Sequence, residues 1–361
     1  MDKSFWQGKR VLITGHTGFK GRWLCAWLGR LGAHVYGLSE ASGDRMFEQQ
    51  LEQSFGIRQF MTDILNPVQV EEVVDEVQPE IIFHMAAQPI VSEAYIKARA
   101  TIELNIMGTV NLLEAVRKQK KSNVLAIINV TTDKVYENKE WVWGYREGDE
   151  LGGSEPYSTS KACSELITSM YGQAFFHIKS GRPIPIATAR IGNVIGGTDW
   201  SKDRLLPDCI RAIQEGNSLK VRSRYATRPW QHALEPLSGY LLLAQKLVEK
   251  GQSFSGPWNF AVPEEKSVDY VVDVIQREYP NRLNVEYGQG TFHEANNLKI
   301  DSSKARLTLG WEPRWNVETA IKKTVSFYLQ DNGANRLDLM EEQIMEYEQT
   351  RESSEPFQKI K

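Results

Sequence analysis

Cysteine is scarce in this chain: three thiols, Cys25, Cys163 and Cys209, in 361 residues. That number, odd and widely spaced, excludes a disulfide framework and a cysteine-rich metal site, and no metal is expected. Buried thiols in a reducing compartment are expected instead, with the cytoplasm as the location. An excess of charge is also lacking: 43 Lys and Arg stand against 46 Asp and Glu, a net charge of −3. Nothing global therefore draws the chain to nucleic acid or to an anionic membrane. No apolar run approaches the roughly 18 residues of a spanning helix. The opening residues, Met1 to Trp6, carry no signal-peptide core. Internal repeats and low-complexity segments are absent too.

What is present is an ordinary globular composition, 41% hydrophobic and 25% charged, in a length that suits one large α/β unit with a smaller lobe. Over the first 190 residues short apolar runs alternate with amphipathic stretches. Arg10 to Thr14, Ala33 to Ser39, Arg58 to Thr62, Glu80 to His84, Val124 to Val130 and Ile184 to Arg190 read as strands. Phe19 to Leu31, Val68 to Val77, Thr101 to Lys118 and Tyr157 to Phe176 read as helices. Alternation of this kind implies parallel βαβ units and a doubly wound sheet. After Arg190 the rhythm breaks. Residues 191–232 read as loops with a short helix, Asp208 to Glu215. A helix at Pro236 to Glu249 and a strand near Trp258 to Ala261 return to the first unit. The expected division is a dinucleotide-type unit of residues 1–190 with 233–264, a lobe of 191–232 and 265–335, and a charged tail of 336–361 that frays from a helix. Four of the ten Trp, at 141, 143, 200 and 230, stand in polar surroundings. They are candidate walls of a polar-ligand pocket as well as packing residues.

Thr14-Gly15-His16-Thr17-Gly18-Phe19-Lys20-Gly21 follows a strand and opens a helix. Gly15 suits the tight turn, Gly18 the approach of a pyrophosphate, and Gly21 close helix–strand packing. The helix N-terminus faces that pyrophosphate with free N–H groups. A dinucleotide site is expected here. The ribose reader falls about 20 residues on, at Leu38-Ser39-Glu40. Glu40 favours NAD, whereas Ser39 with Arg45 would tolerate the 2′-phosphate of NADP, the less favoured cofactor. Asp63 and Ile64 are placed to meet the adenine, with a helix N-cap the alternative role for Asp63.

Tyr157 and Lys161 are four residues apart on a helix and share a face. A nearby ammonium favours the phenolate, which can take a proton from a sugar hydroxyl. Thr132 ends the preceding strand within reach of the same oxygen. Asp133 and Lys134 follow directly, and an added acid and amine imply a second proton transfer, such as loss of water.

These residues resemble the extended short-chain dehydrogenase/reductases, most closely their CDP-glucose 4,6-dehydratase branch. The resemblance runs from Phe5 to about Gln330. It is carried by the glycine loop, Phe83-His84-Met85-Ala86-Ala87-Gln88-Pro89, Thr132-Asp133-Lys134, Asn138-Lys139-Glu140-Trp141, Gly192-Asn193-Val194-Ile195-Gly196-Gly197 and Arg228-Pro229-Trp230-Gln231-His232. It implies a Rossmann sheet with a smaller C-terminal substrate-binding lobe. It also implies cofactor contacts from Ala86, Ala87, Gln88 and Asn105, and a CDP-glucose substrate held by Gln88, Tyr95, Asn193, Arg204, Arg228 and His232. Arg204 and Arg228 are the candidates for the diphosphate. The implied chemistry is oxidation at C4, removal of the C5 proton by Lys134, departure of the C6 hydroxyl with a proton from Asp133, and return of hydride to C6. One departure is Ser92, which stands where the family usually carries an arginine. An NAD-dependent 4-epimerase or reductase relying on Tyr157 and Lys161 alone, a dehydratase of another nucleotide sugar, and a non-enzymatic NAD(H) sensor are the competing readings. Helices Thr101 to Lys118 and Tyr157 to Phe176 would pair across a two-fold axis, as in relatives, giving a homodimer or homotetramer.

Overall fold

The computed structural model describes residues 2–350 except 121, 178, 180, 182, 222, 280–282 and 289–297. In chain order its elements begin with α1 (Lys3–Trp6), β1 (Arg10–Thr14), α2 (Phe19–Arg30), β2 (His34–Ser39), α3 (Arg45–Phe55), β3 (Arg58–Met61), α4 (Pro67–Val77) and β4 (Ile81–His84). Then come α5 (Val91–Ile96), α6 (Ala98–Lys118), β5 (Ala126–Val130), α7 (Pro156–Ala174), β6 (Ile186–Ile191), β7 (Val194–Ile195), α8 (Leu205–Glu215), β8 (Ser218–Val221), β9 (Thr227–Arg228) and β10 (Gln231–His232). The chain continues through α9 (Leu234–Lys250), β11 (Gly256–Phe260), β12 (Lys266–Ser267), α10 (Val268–Glu278), β13 (Asn284–Tyr287), α11 (Val317–Gln330) and α12 (Arg336–Gln349).

Seven strands form one sheet in the order β11-β6-β5-β4-β1-β2-β3, and every pair in it is parallel. Parallel strands need apolar residues on both faces, because helices cover both. The strands alternate accordingly. Val11, Ile13, Ile81, Phe83, Ala126 and Ile128 point into one core with α2 and α9. Leu12, Ile82 and Ile127 point into the other, with α4 and α6. The expected strand at 258–261 does return, as β11 beside β6 at the sheet edge.

Strand order reverses between β1 and β4, which opens a crevice at their carboxyl ends. Gly15, at φ +73°, sits at that point, where a Cβ would come within 2.7 Å of the Ala86 amide nitrogen. The two loops touch there, and only glycine permits it.

The short elements α1, α5 and β8 lie where no such element is expected, and two longer stretches also differ from the sequence reading. Residues 40–57 were assigned no element, yet α3 lies there. Asp44 caps it by accepting from the Phe47 N–H, Phe47 and Leu51 are buried one turn apart, and Gly56 closes it in the left-handed region. The helix expected to open the charged tail of 336–361 is present over 336–349, and it is docked rather than frayed. There α12 buries Leu337, Leu339, Met340, Ile344 and Tyr347 and packs against α2 and α3. Its apolar positions recur at helical spacing among acidic residues, and that stripe outweighs the charged composition. Residues 351–361 lie outside the described residues.

Candidate active site

One cavity of about 1170 Å3 runs along the carboxyl ends of the strands, from the glycine turn to β8 and Arg228. It exceeds the space one drug-sized ligand fills.

At its first end, Gly18 caps α2 without any side-chain hydrogen bond. The free N–H groups of the first turn, at Phe19, Lys20 and Gly21, therefore remain for a bound anion. A Cβ on Gly21 would approach the Gly15 carbonyl oxygen to 2.3 Å, so the turn is packed as a pyrophosphate loop requires. Thr17 and Ser39 hydroxyls are 2.6 Å apart and both donate to the Glu40 carbonyl. Glu40, Asp63, Ile64, Ala86 and Ala87 line the same stretch. These residues fit a dinucleotide. Arg45 does not line the cavity; it is exposed on α3. Asp63 is no helix cap, since its carboxylate accepts from Leu65 N–H and Asn66 caps α4.

Three residues expected to touch cofactor turn away from it. The His16 ring is buried beneath Gly37, with Nε2 3.1 Å from the Gln59 amide oxygen. Gln88 donates to the Ile90 carbonyl and the Thr101 hydroxyl. Asn105 accepts from Gln88 N–H and donates to the Gln88 carbonyl and the Ser160 hydroxyl. Gln88 and Asn105 thus pin the β4 loop to α6 and α7, and neither side chain is part of the cavity lining.

The middle of the cavity gathers Thr132, Asp133, Lys134, Tyr157 and Lys161. The α7 N-terminus positions Tyr157. Pro156 occupies the first turn, and the Glu155 carboxylate accepts from the Tyr157 and Ser158 N–H groups in a capping box. Thr132 caps a short 3-10 turn, Asp133–Val135, that carries Asp133 and Lys134 past the end of β5. The Thr132 hydroxyl donates to Asp133 Oδ1 at 3.0 Å. Lys134 Nζ lies 3.8 Å from the same oxygen. Asp133 is buried, and its Oδ2 has no hydrogen-bond partner, a state that calls for a donor from a ligand. Burial pushes the Tyr157 phenol up to about 12, while its bond to Thr132 and the charge of Arg204 pull it back. Burial lowers the Lys161 ammonium to about 8 against the opposing pull of Glu165. Lys161 Nζ donates to the Val130 carbonyl at 2.8 Å. Lys20 is lowered to about 7 by the protein crowded around it and by Arg204 and Lys161, although its side chain opens onto the cavity. Lys20, expected among the cofactor-binding residues of the glycine loop, does line the cavity.

The far end holds Tyr95, Asn193, Arg204 and Arg228. Arg204 pairs with the buried Asp199 at 3.0 Å, and Arg228 donates to the Thr227 carbonyl. Ser92, at the position where the arginine is missing, donates to Asp203 at 2.7 Å and bridges two walls. Trp230 lines the cavity, whereas Trp141, Trp143 and Trp200 do not. His232 is corrected to a core residue. It is fully buried between the Trp23 and Trp315 rings, at centroid distances of 5.3 and 5.0 Å. Simple alternation would put His232 on the side of Arg228 and Trp230, but β9 pairs with β12 and β10 with β7, so the two ends of 228–232 belong to different strand pairs and face differently. Among the described residues no three His, Cys, Asp or Glu side chains gather as a metal site.

Residues 12–324 match the family model described as GDP-mannose 4,6 dehydratase. The chain belongs to that family. Members similar to it include a CDP-glucose 4,6-dehydratase of Salmonella typhimurium, 43% identical over 340 residues and covering 91% of this chain and 92% of that one. More distant is a UDP-glucose 4-epimerase of Mycoplasma genitalium, 24% identical over 77% of this chain and 84% of that one. Among solved structures, dTDP-glucose 4,6-dehydratase from Bacillus anthracis in complex with NAD aligns at TM-score 0.76 and 21% identity, over 91% of this chain and 100% of that one. UDP-glucose-4-epimerase from Stenotrophomonas maltophila with bound NAD aligns at 0.79 and 19%, over 89% and 98%. At those identities the solved structures establish the shared fold of the family.

Proposed function

We propose that the protein converts CDP-glucose to CDP-4-keto-6-deoxyglucose and water, with NAD as a recycled cofactor. The carrying observation is that the acid–amine pair Asp133–Lys134 shares one cavity with Tyr157 and Thr132. An enzyme that only oxidises and reduces C4 has no use for that pair. The 43% identity to a CDP-glucose 4,6-dehydratase supports the choice of substrate.

The glycine turn of Gly15, Gly18 and Gly21 would hold NAD, which would supply a reversible hydride acceptor for C4 and C6. Tyr157 takes the C4 hydroxyl proton, with Thr132 holding the same oxygen. The 4-ketone so formed acidifies the C5–H bond, and Lys134 removes that proton. Asp133 gives a proton to the C6 hydroxyl, which leaves as water while the electrons of the C5–H bond form the C5–C6 double bond; once hydride has entered at C6, Lys134 returns a proton to C5. We place the diphosphate against Arg204 and Arg228, in the lobe of residues 191–232 and 265–335. Glu40 at the ribose end supports NAD over NADP, since a carboxylate accepts from a 2′-OH and repels a 2′-phosphate. A cytoplasmic setting goes with the free thiols.

We further propose a second copy of the chain as partner. Ile102 and Met107 of α6 and Leu166 and Met170 of α7 are all more than 40% exposed on helices packed side by side. Light scattering at micromolar concentration is expected to give twice the chain mass or more. A monomer there, or no effect of Leu166→Glu, refutes this.

The deciding assay incubates the protein with CDP-glucose, and separately with dTDP-, GDP- and UDP-glucose, and follows product mass. Loss of water from CDP-glucose without net reduced cofactor is expected. Asp133→Asn and Lys134→Ala should abolish that loss while C4 oxidation continues. Turnover unchanged in both variants would instead support an epimerase.

A further inference from the structure

Beneath the Thr132–Val135 segment lies a buried network with no role in the chemistry just described. Glu165, two turns along α7 from Tyr157 and one from Lys161, faces Arg190 of β6. Arg190 Nε and Nη2 donate to the two carboxylate oxygens at 3.0 and 2.9 Å. Both side chains are under 5% exposed. Burial alone works against the guanidinium charge, but Glu165 outweighs it and raises the Arg190 pKa beyond its ordinary value. A fork of this kind holds its partners in one geometry.

The network reaches both ends of the catalytic turn. On one side the Thr131 hydroxyl donates to Glu165 Oε1 at 2.5 Å. On the other, Arg190 Nη1 donates to the Tyr136 hydroxyl at 2.8 Å, and that hydroxyl donates to Asn259 Oδ1 at 2.7 Å. Thr188 completes the carboxylate with a third donor residue at 2.6 Å. Asn259 in turn donates to the Tyr145 and Asp301 carbonyls. Thr132, Asp133, Lys134 and Val135 are therefore strung between two anchors on one ion pair. Tyr157 is fixed independently, by the α7 capping box.

We infer that Glu165 and Arg190, acting through Thr131 and Tyr136, are a positioning pair that holds Asp133 and Lys134 in register with the sugar for water elimination. Neither residue lines the cavity. Buried ion pairs contribute little net stability against apolar replacements, and specificity of geometry is the role left to them. The inference rests on the dehydratase reading. It assigns the pair chiefly to elimination because both elimination groups, Asp133 and Lys134, sit on the suspended turn, whereas of the C4 groups only Thr132 does and the proton acceptor Tyr157 sits on the capped helix.

The test uses the full chain loaded with NAD, in Thr131→Val and Tyr136→Phe, each removing one anchor, with Thr131→Ser as the variant that keeps the hydroxyl. Glu165→Gln is the harsher change, and the two mild variants decide if it does not fold. Single turnover of CDP-glucose is followed by absorbance of reduced nicotinamide and by solvent deuterium at C5 of the sugar. Expected are native thermal melting, KM within about two-fold, kcat down ten-fold or more, reduced nicotinamide accumulating, and slower deuterium entry at C5. Thr131→Ser should restore all of these. Unchanged kcat, or an equal slowing of oxidation and elimination, overturns the inference. If the unaltered protein releases no water from CDP-glucose, the proposed function falls instead, and that outcome is read before any variant is made.

Discussion

Tyr157 and Lys161 are both pushed toward their neutral forms by burial, to about 12 and about 8. A phenol that high is a poor base until a substrate oxygen and a bound cationic cofactor change its surroundings. Removing its hydroxyl in Tyr157→Phe should lower kcat about 10²- to 10⁴-fold, the span of a general base, with melting unchanged. A loss under three-fold by steady-state assay would take Tyr157 out of the chemistry. The spacing of Tyr157, Lys161, Thr132, Asp133 and Lys134 was legible because strand ends and helical turns fix neighbours locally. The directions of His16, Gln88, Asn105 and His232 were not. Each lies in a segment that does border the cavity, and which way a side chain turns depends on partners far along the chain, Gln59 for His16 and Trp315 for His232.

At the scale of elements, the α7 N-terminus bears both fold and function. The Glu155 carboxylate holds the Tyr157 and Ser158 N–H groups at 2.7 Å each. Glu155→Ala should cost about 1 kcal/mol of stability, the usual worth of such a cap. Chemical denaturation checks this, and a midpoint equal to the parent's would show that the cap is not needed. The C-terminal helix is a second case. Its five buried apolar side chains, each worth about 1.5–3 kcal/mol when fully covered, sum to a share comparable with the roughly 5–15 kcal/mol of a whole domain. Truncation after Asn335 should therefore give insoluble or unfolded protein by circular dichroism, and a folded product would show α12 to be dispensable. The sequence reading expects a helix that frays here, and the i, i+3, i+4 apolar stripe docks it instead, because burial scales with apolar area.

Across the whole molecule, two buried histidines should make stability fall in acid, opposed over part of the range by the buried Glu235, which burial raises to about 7. His84 lies between the Thr14 and Thr109 hydroxyls, and His232 among aromatic rings. Burial lowers both to about 3. The unfolded chain takes up protons at these rings below about pH 6.5 while the folded chain does not. The contribution of these two rings is then full above about pH 7 and falls as pH drops from about 6.5 toward 3. The apo protein's denaturation midpoint should decline between about pH 7 and pH 5, and His232→Phe should make the decline shallower. An identical slope in the variant would mean that His232 is already charged when folded.

The sequence by itself determined the parallel α/β sheet, the glycine turn and the grouping of Thr132, Asp133, Lys134, Tyr157 and Lys161 in one cavity, because those follow from periodicity of 2 or 3.6 residues and from spacings within a single turn. Tertiary structure decided what no local pattern contains. It turned four expected ligand contacts inward, docked the charged C-terminal helix, and set Glu165 and Arg190, 25 residues apart, under the turn that carries Asp133 and Lys134. Such choices depend on burying each polar group with a partner, and partners are fixed only when distant segments meet.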